Sequence, residues 1–249
     1  MSAAIVPGHV PAVPALGRKV AAEAVGTCLL VAAVVGSGIA AVRLSPGQIG
    51  LQLLVNAVVT GAALVSLILA LQPVSAAFNP IVTAIEWSFG AIPTADAAAL
   101  VGAQVAGATA GAILANLMFG DSAISIATTD RGGAGVWLAE AVATAGLVIV
   151  VFGTARTGRG DRTAYAVGAY ITAAYWFTSS TSFANPAVTI SRMFSDSFAG
   201  IAPTSTPIFL LAQVVGGVVG YVLIRLLVPH PVTTAADLVR PEQSRSGRQ

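Results

Sequence analysis

Apolar residues fill six long stretches of the chain, and polar or charged residues collect in the segments between them. A helix needs roughly 20 residues to cross a bilayer core, so we predict six transmembrane helices, at 20–42, 49–71, 95–119, 136–152, 164–181 and 207–228. Two shorter apolar stretches, 79–89 and 185–198, each begin with Asn-Pro. Because lipid leaves free backbone groups without partners, these two are predicted to be re-entrant half-helices that dip back among the other helices.

The composition fixes the class of protein. The 249-residue chain is 56% hydrophobic and 9% charged, with a mean hydropathy of +0.85. Soluble domains carry about 25% charged residues, so an all-α membrane protein in contact with the lipid bilayer is predicted. The net charge of +2 gives no reason to expect nucleic acid. The one cysteine, Cys28, and the two histidines, His9 and His230, form no constellation, so we expect no metal, no cofactor and no enzyme.

The two ends of the chain differ from its apolar middle. Residues 1–17 are predicted to be a flexible tail, residues 18–228 a single domain, and residues 229–249 a disordered polar tail. With a cytoplasmic N-terminus, nine arginine and lysine residues lie inside and three outside. The positive-inside rule therefore favours both termini in the cytoplasm.

Three five-residue words occur twice in the same order. EAVGT at 23–27 returns as EAVAT at 140–144, NPIVT at 79–83 as NPAVT at 185–189, and AQVAG at 103–107 as AQVVG at 212–216. The repeats cover about 18–119 and 135–228. Each half holds three crossings, so the second half enters from the opposite side and the repeat is inverted. Inverted repeats of this kind bring broken helices together near the midplane, at the solute path.

Asn-Pro suits the start of a half-helix. Proline is favoured at the first helical position and asparagine is a preferred cap just before it. We therefore predict that Asn79 caps a helix begun by Pro80, and Asn185 one begun by Pro186. Two positive helix ends facing each other repel cations, and spare asparagine N–H groups can donate to an uncharged polar solute. The alternative is that both residues only cap helices in a static core.

These paired boxes, with their Glu-Ala-Val and Ala-Gln-x-x-Gly companions, resemble the major intrinsic protein family of aquaporins and glycerol facilitators. The resemblance implies six helices with two re-entrant half-helices, a pore in each subunit of a homotetramer, and passive conduction of small neutral solutes. It also implies that Glu23 and Glu140 accept hydrogen bonds from the re-entrant loops and brace them. Snorkelling of these carboxylates to water is the alternative.

The sequence departs from the family pattern at both boxes. Ile81 stands where alanine is usual, whereas Asn185-Pro186-Ala187 is complete. Val188 stands where orthodox members carry the arginine of the selectivity filter. Carried over from the resemblance, the other filter positions are Val59 or Thr60, Ala173 and Ser182. None is a large aromatic residue or histidine, so the filter is predicted to be wide and apolar.

Arg192 lies four residues after Val188, one turn further along a continuous helix. We expect it either to line the outer vestibule or to face another loop and pair with Asp196. A wide filter and the run SRMFSDSFAGIAP are similar to a bacterial, arsenic-associated branch of the family. That resemblance implies an inner-membrane channel for arsenite, antimonite and polyols such as glycerol, with some water.

Other functions are compatible with parts of the pattern. An orthodox water or water/glycerol channel is the closest alternative. A secondary transporter also uses inverted repeats, but it would need ionisable residues at the midplane. A closed, structural protein would need bulky residues at the filter positions.

Overall fold

The computed structural model describes residues 14–228, and the predicted tails lie largely outside this range. Within it there are eight α helices and no strand. They are α1 Leu16–Leu44, α2 Ile49–Leu71, α3 Pro80–Ser88, α4 Thr94–Met118, α5 Ala134–Arg156, α6 Thr163–Phe177, α7 Pro186–Ser191 and α8 Thr206–Leu227. Short 3-10 turns at Gly160–Arg162 and Arg192–Phe194 precede α6 and follow α7.

Five of these helices are long and apolar enough to cross a membrane, namely α1, α2, α4, α5 and α8. The remaining predicted crossing, α6, has 15 residues and ends at Phe177, four residues before its predicted end. Thr178 is extended, with a ψ of 134°, and from there the chain runs to Asn185 without regular structure. The helix covers only about 22 Å at 1.5 Å per residue, so we infer that this irregular segment completes the crossing together with α6.

The two half-helices begin at the predicted prolines. The second is shorter than predicted, because α7 ends at Ser191 and the 3-10 turn that follows ends at Phe194. The Met193 carbonyl accepts from Ala127 N–H at 2.9 Å, and the Phe194 carbonyl from Ser125 N–H at 3.2 Å. These carbonyls are taken by the segment between α4 and α5, so the helix does not continue.

The helix pairs repeat as the sequence predicts. Helix α1 packs along α4, and α5 packs along α8 in the same manner. Gly107 and Gly111 make the first contact possible, since a Cβ at either would lie 2.2 Å from the backbone oxygen of Ala24 or Cys28. In the second pair, a Cβ at Gly216 would lie 2.3 Å from the Ala141 oxygen. Glycines spaced by four therefore let both helix pairs approach closely.

A third close contact joins α2 to α6. A Cβ at Gly61 would lie 2.8 Å from the Gly168 carbonyl oxygen, and one at Gly168 would lie 2.7 Å from the Gly61 oxygen. Each helix thus presents a glycine to the backbone of the other. This crossing fixes the rotation of α2 and α6 about their axes, and so decides which of their side chains face the two half-helices.

Candidate functional site

The two Asn-Pro boxes meet inside the bundle and bind each other reciprocally. Asn79 Nδ2 donates to the Ala184 carbonyl at 2.8 Å, and Asn185 Nδ2 donates to the Phe78 carbonyl at 2.7 Å. Each asparagine therefore contacts the residue that precedes the other one. Both asparagines are buried, at 4% and 6% exposure. This pairing places the first turns of α3 and α7 at the same depth.

The oxygen of each asparagine caps its own helix. Asn79 Oδ1 accepts from Ile81 N–H at 2.9 Å, and Asn185 Oδ1 accepts from Ala187 N–H at 3.0 Å. A side-chain amide has two N–H donors, and the reciprocal bond uses one of them. One N–H of each asparagine is then free to donate to a solute. The two positive helix ends and these two donors suit an uncharged solute that accepts hydrogen bonds.

A buried carboxylate from α1 holds the loop before α3. Glu23 is fully buried and accepts from Ser75 Oγ at 2.5 Å, Ala77 N–H at 2.8 Å and Phe78 N–H at 2.7 Å. Phe78 has a φ of 48°, a left-handed conformation that is strained for a residue other than glycine. The carboxylate therefore stabilises the strained residue that immediately precedes Asn79.

Glu140 of α5 does the same for the loop before α7. It accepts from Phe183 N–H at 3.2 Å and from Ala184 N–H at 2.5 Å. Ala184 has a φ of 49° and stands immediately before Asn185, as Phe78 stands before Asn79. The two carboxylates thus occupy equivalent places in the two halves.

Each repeated sequence word contributes one side chain to these networks. In the first half, Gln104 Nε2 donates to Glu23 and to Thr83 Oγ1, both at 2.9 Å. In the second half, Gln213 Nε2 donates to Glu140 and to Thr189 Oγ1, both at 2.7 Å. The first word supplies the glutamate, the second the threonine and the third the glutamine. The repeated residues therefore attach each half-helix to two transmembrane helices.

The comparisons with known proteins agree with this arrangement. The model of the family described as "Major intrinsic protein" matches residues 12–182. The chain is 47% identical over 213 residues to "Aquaglyceroporin AqpS" of Rhizobium meliloti (strain 1021), covering 85% of this chain and 91% of that protein. The chain belongs to the major intrinsic protein family. The predicted family is confirmed.

The fold is also that of a solved member. The X-ray structure of the aquaglyceroporin from Plasmodium falciparum superposes with a TM-score of 0.68 at 20% identity, covering 86% of this chain and 97% of that chain. At this identity the match shows the fold alone, which confirms the predicted all-α architecture with re-entrant half-helices. As a major intrinsic protein, this chain is a membrane channel for small solutes and not an enzyme.

The structure revises the filter candidate in α2. Thr60 is 3% exposed, and its Oγ1 lies 3.2 Å from the Tyr175 hydroxyl of α6. Val59 is 36% exposed and is rotated by about 100° from Thr60 on the helix. Of the two residues that the sequence left open, Thr60 is therefore the candidate that points towards α6.

The structure adds a candidate in α6. Ala173 is exposed and lies on the face of α6 that carries Tyr165 and Trp176, which are 57% and 51% exposed. Residues two apart on a helix point in nearly opposite directions, so Tyr175 faces inward where Ala173 faces outward. Tyr175, which lies against Thr60, is therefore a further filter candidate in α6 beside Ala173.

The two candidates near the second box are both buried. Val188 is 5% exposed, and its backbone N–H donates to Asn185 Oδ1 at 3.3 Å. Ser182 is 3% exposed, and within residues 14–228 its hydroxyl has no hydrogen-bond partner. Thr181 and Ser182 both adopt left-handed conformations, with φ of 60° and 50°. The loop thus presents an unused polar group beside an apolar side chain.

The side chain of Arg192 is turned towards neighbouring loops, which is one of the two arrangements expected from the sequence. It is only 2% exposed, so it does not project freely into an outer vestibule. Asp196 does not pair with it, because Asp196 Oδ1 accepts from the backbone and hydroxyl of Thr128. Instead, Arg192 Nε donates to the Ala199 carbonyl, and the guanidinium carbon lies 3.4 Å from the centroid of the Phe183 ring.

Ile81 has a specific neighbour in α8. A Cβ at Gly217 would lie 2.9 Å from Ile81 Cγ2, so the absence of a side chain at position 217 accommodates the isoleucine. In the sequence repeat, Ala108 of α4 corresponds to Gly217 of α8. Ala187 of the second box corresponds to Ile81 of the first box. The departure from Asn-Pro-Ala is thus matched by a smaller residue in α8.

Sequence reasoning missed several residues of this site. Gln104 and Gln213 lie inside the repeated five-residue words. Both glutamines recur together with the two glutamates, and this joint recurrence could have identified them as site residues. Tyr175 lies seven residues after Gly168, and counting along the helix from that glycine would have selected it. Phe183 and Arg131 carry no repeat, and nothing in the sequence indicates that they meet.

Proposed function

We propose that this channel conducts uncharged polyols of glycerol's size and trivalent metalloid hydroxides such as arsenous and antimonous acid, together with some water. The observation that carries the proposal is Val188. A small apolar side chain stands where orthodox members place an arginine, and it is buried beside the second asparagine. Pore selectivity depends on diameter, hydrogen-bonding groups and electrostatic barriers, so this position leaves room for solutes larger than water.

The polar groups around Val188 suit a solute with several hydroxyls. Asn79 and Asn185 each retain one N–H donor, and the Ser182 hydroxyl is unused within the described residues. The Thr60–Tyr175 pair adds two further hydroxyls and makes the filter more polar than the sequence indicated. A hydroxyl can both donate and accept, so the same groups serve carbon-bound and arsenic-bound hydroxyls. The relative named an aquaglyceroporin supports the polyol part of this proposal.

The assembly and orientation also belong to the proposal. The family resemblance supports a homotetramer, and the arginine and lysine distribution supports both termini in the cytoplasm. The relative from Rhizobium meliloti supports a bacterial inner membrane as the location.

The test uses purified protein in liposomes. Light scattering reports water and glycerol flux, and direct uptake reports arsenous acid, with protein-free liposomes as background. We expect the protein to pass all three, and Val188→Arg to reduce glycerol and arsenous acid by about tenfold or more while water still passes. Val188→Leu, which adds bulk without charge, is the matched control and should have a smaller effect.

Two results would contradict the proposal. If water passes the unchanged protein and neither larger solute does, the chain is an orthodox water channel and another side chain narrows the filter. If arsenous acid or glycerol accumulates above the outside concentration, transport is coupled and the secondary transporter is the better description. A channel instead stops at equal concentrations on the two sides.

A further inference from the structure

A buried arginine lies close to the second box without an acidic partner. Arg192 follows Val188 by four residues, and its guanidinium carbon is 3.4 Å from the Phe183 ring centroid. Phe183 itself is two residues before Asn185 in the loop that carries Ser182. The charge is therefore stacked on the same loop that supplies the filter candidates of the second half.

A second arginine uses the same ring. Arg131, from the segment between α4 and α5, has its guanidinium carbon 5.0 Å from the Phe183 centroid. Its Nε donates to the Gly200 carbonyl at 2.8 Å, and its Nη2 donates to the Phe198 carbonyl at 3.2 Å. Carbonyls of residues 198–200 thus hold both guanidinium groups against one aromatic side chain.

Neither charge is cancelled at contact distance. Among residues 14–228, neither arginine has an ion pair. Three carboxylates in adjoining segments have other partners: Asp130 accepts from Ser205 Oγ, Asp196 from Thr128, and Glu140 from loop amides and Gln213. Burial lowers the pKa of Arg131, which nearby Tyr175 and Glu140 act to raise. Arginine nevertheless stays protonated in proteins, so two positive charges remain.

Stability does not account for this arrangement. Burying a charge is costly unless it is paired and hydrogen-bonded, and the side chain of Arg192 makes one hydrogen bond within the described residues. A cation–π contact offsets part of that cost. Ionisable residues retained at such depth in membrane proteins mark ion or substrate paths by default. A leucine or methionine could pack against Phe183 without that penalty.

We propose that the Arg192 guanidinium, stacked on Phe183 and reinforced by Arg131, is the barrier to cations at the filter in place of the arginine that Val188 replaces. This inference rests on the proposed function of a wide channel for neutral solutes. Charges act over longer distances in a low-dielectric setting, so a guanidinium behind the loop raises the energy of a cation in the path without narrowing it. The energy of an uncharged solute in the path is not raised by this charge.

The test compares cation leak with glycerol flux on the same liposomes. A potassium gradient with gluconate as the anion drives a membrane potential, which a voltage-sensitive dye reports. We expect Arg192→Gln to raise the potassium leak on the order of tenfold, because it removes a buried positive charge that has no ion pair within residues 14–228. Glycerol flux should change little. Arg192→Lys, which keeps the charge without the planar stack, should stay close to the unchanged protein.

Arg43→Gln is the matched control. Arg43 also stacks on an aromatic ring, 5.4 Å from the Phe119 centroid, but it is half-exposed and paired with Asp121. Its loss should leave the potassium leak unchanged. If Arg192→Gln conducts glycerol and its leak equals that of the unchanged protein, the inference is wrong and the half-helix ends alone exclude cations.

Arg131→Gln decides the matter if Arg192→Gln does not fold. It should raise the leak by about two- to threefold, because Arg131 lies further from the ring and its charge adds to that of Arg192. An unchanged leak in that folded variant would overturn the proposal. Missing glycerol flux in the unchanged protein would instead refute the proposed function, so the two failures give different readouts.

Discussion

The loops that lead into α3 and α7 are built on the same contacts but differ in what surrounds them. In both, a buried glutamate binds the N–H of the left-handed residue before asparagine. The first loop has one left-handed non-glycine residue, Phe78, and ends in a nine-residue helix. The second has three such residues and ends in a six-residue helix. The second loop also carries the stack of Phe183 with two arginines.

This difference distinguishes the residues that support the two half-helices from the residues that select the solute. The residues that recur, which are glutamate, threonine, glutamine and asparagine, fix the two half-helices relative to each other. Three residues around the second loop, Tyr175, Ser182 and Arg192, have no counterpart of the same kind in the first half. We therefore predict a symmetric scaffold, with much of the solute selection on the side of the second loop. The three predictions below test that division.

The largest effect is expected from the two supporting carboxylates. Glu23→Gln and Glu140→Gln each replace an oxygen that accepts backbone N–H bonds with an amide NH2 group that donates. Each buried donor left without an acceptor costs about 1–3 kcal/mol. We therefore expect both variants to lower the apparent melting temperature in detergent by at least about 5 °C and to lose most glycerol flux.

The control for this experiment is Asp96→Asn in the first turn of α4, for which we expect little change. If Glu140→Gln destabilises the protein and Glu23→Gln does not, the scaffold is not symmetric. The repeated residues would then not stabilise the two halves equally.

A smaller effect is expected at Tyr175, where the two halves differ. Seven residues after the crossing glycines Gly61 and Gly168 stand Ile68 and Tyr175, so only the second half offers a hydroxyl there. Tyr175→Phe removes that hydroxyl and leaves Thr60 without its partner. Because a net hydrogen bond contributes about 0.5–1.5 kcal/mol, we expect the ratio of glycerol to water flux to fall by about two- to tenfold.

Tyr165→Phe is the matched control on the same helix, since Tyr165 is 57% exposed and lies about 80° around the helix from Tyr175. It should leave the ratio unchanged. Equal ratios for both variants would remove Tyr175 from the filter and return α6 to an undetermined role.

The direction of a side chain can be predicted from the sequence by counting residues along a helix, but not by counting across a loop. Hydropathy and the repeated words predicted the spans and both Asn-Pro half-helices, because lipid thickness and the inverted repeat constrain them. Ala173 is carried over from the family resemblance by spacing alone, and the irregular segment between Phe177 and Asn185 does not preserve helical spacing. Counting from Gly168 stays inside one helix, where 3.6 residues per turn fix the direction of each side chain.

Arg192 shows the same limit at a helix end. Its predicted direction assumed that α7 continues, but the helix ends at Ser191 and a 3-10 turn follows. A 3-10 turn has 3.0 residues per turn, which rotates the side chain away from the face of Val188. The partners that end α7 early come from residues 125–127. No local pattern around Arg192 reveals them, because they are about 70 positions away.

The smallest effect is expected where the first box departs from the second. Gly217→Ala alone would place a Cβ 2.9 Å from Ile81 Cγ2 and should destabilise the protein, since overpacking costs about 1–3 kcal/mol. Ile81→Ala restores Asn-Pro-Ala but leaves a space. In the double variant the two changes should compensate, because the pair then matches Ala187 and Ala108 of the other repeat.

A double-mutant cycle on thermal stability in detergent should show coupling of about 0.5–3 kcal/mol. Glycerol flux should change by less than about twofold, since Ile81 lies against Gly217 of α8. Additive stability effects would show that Ile81 and Gly217 are independent, and a changed solute ratio would extend selection to the first half.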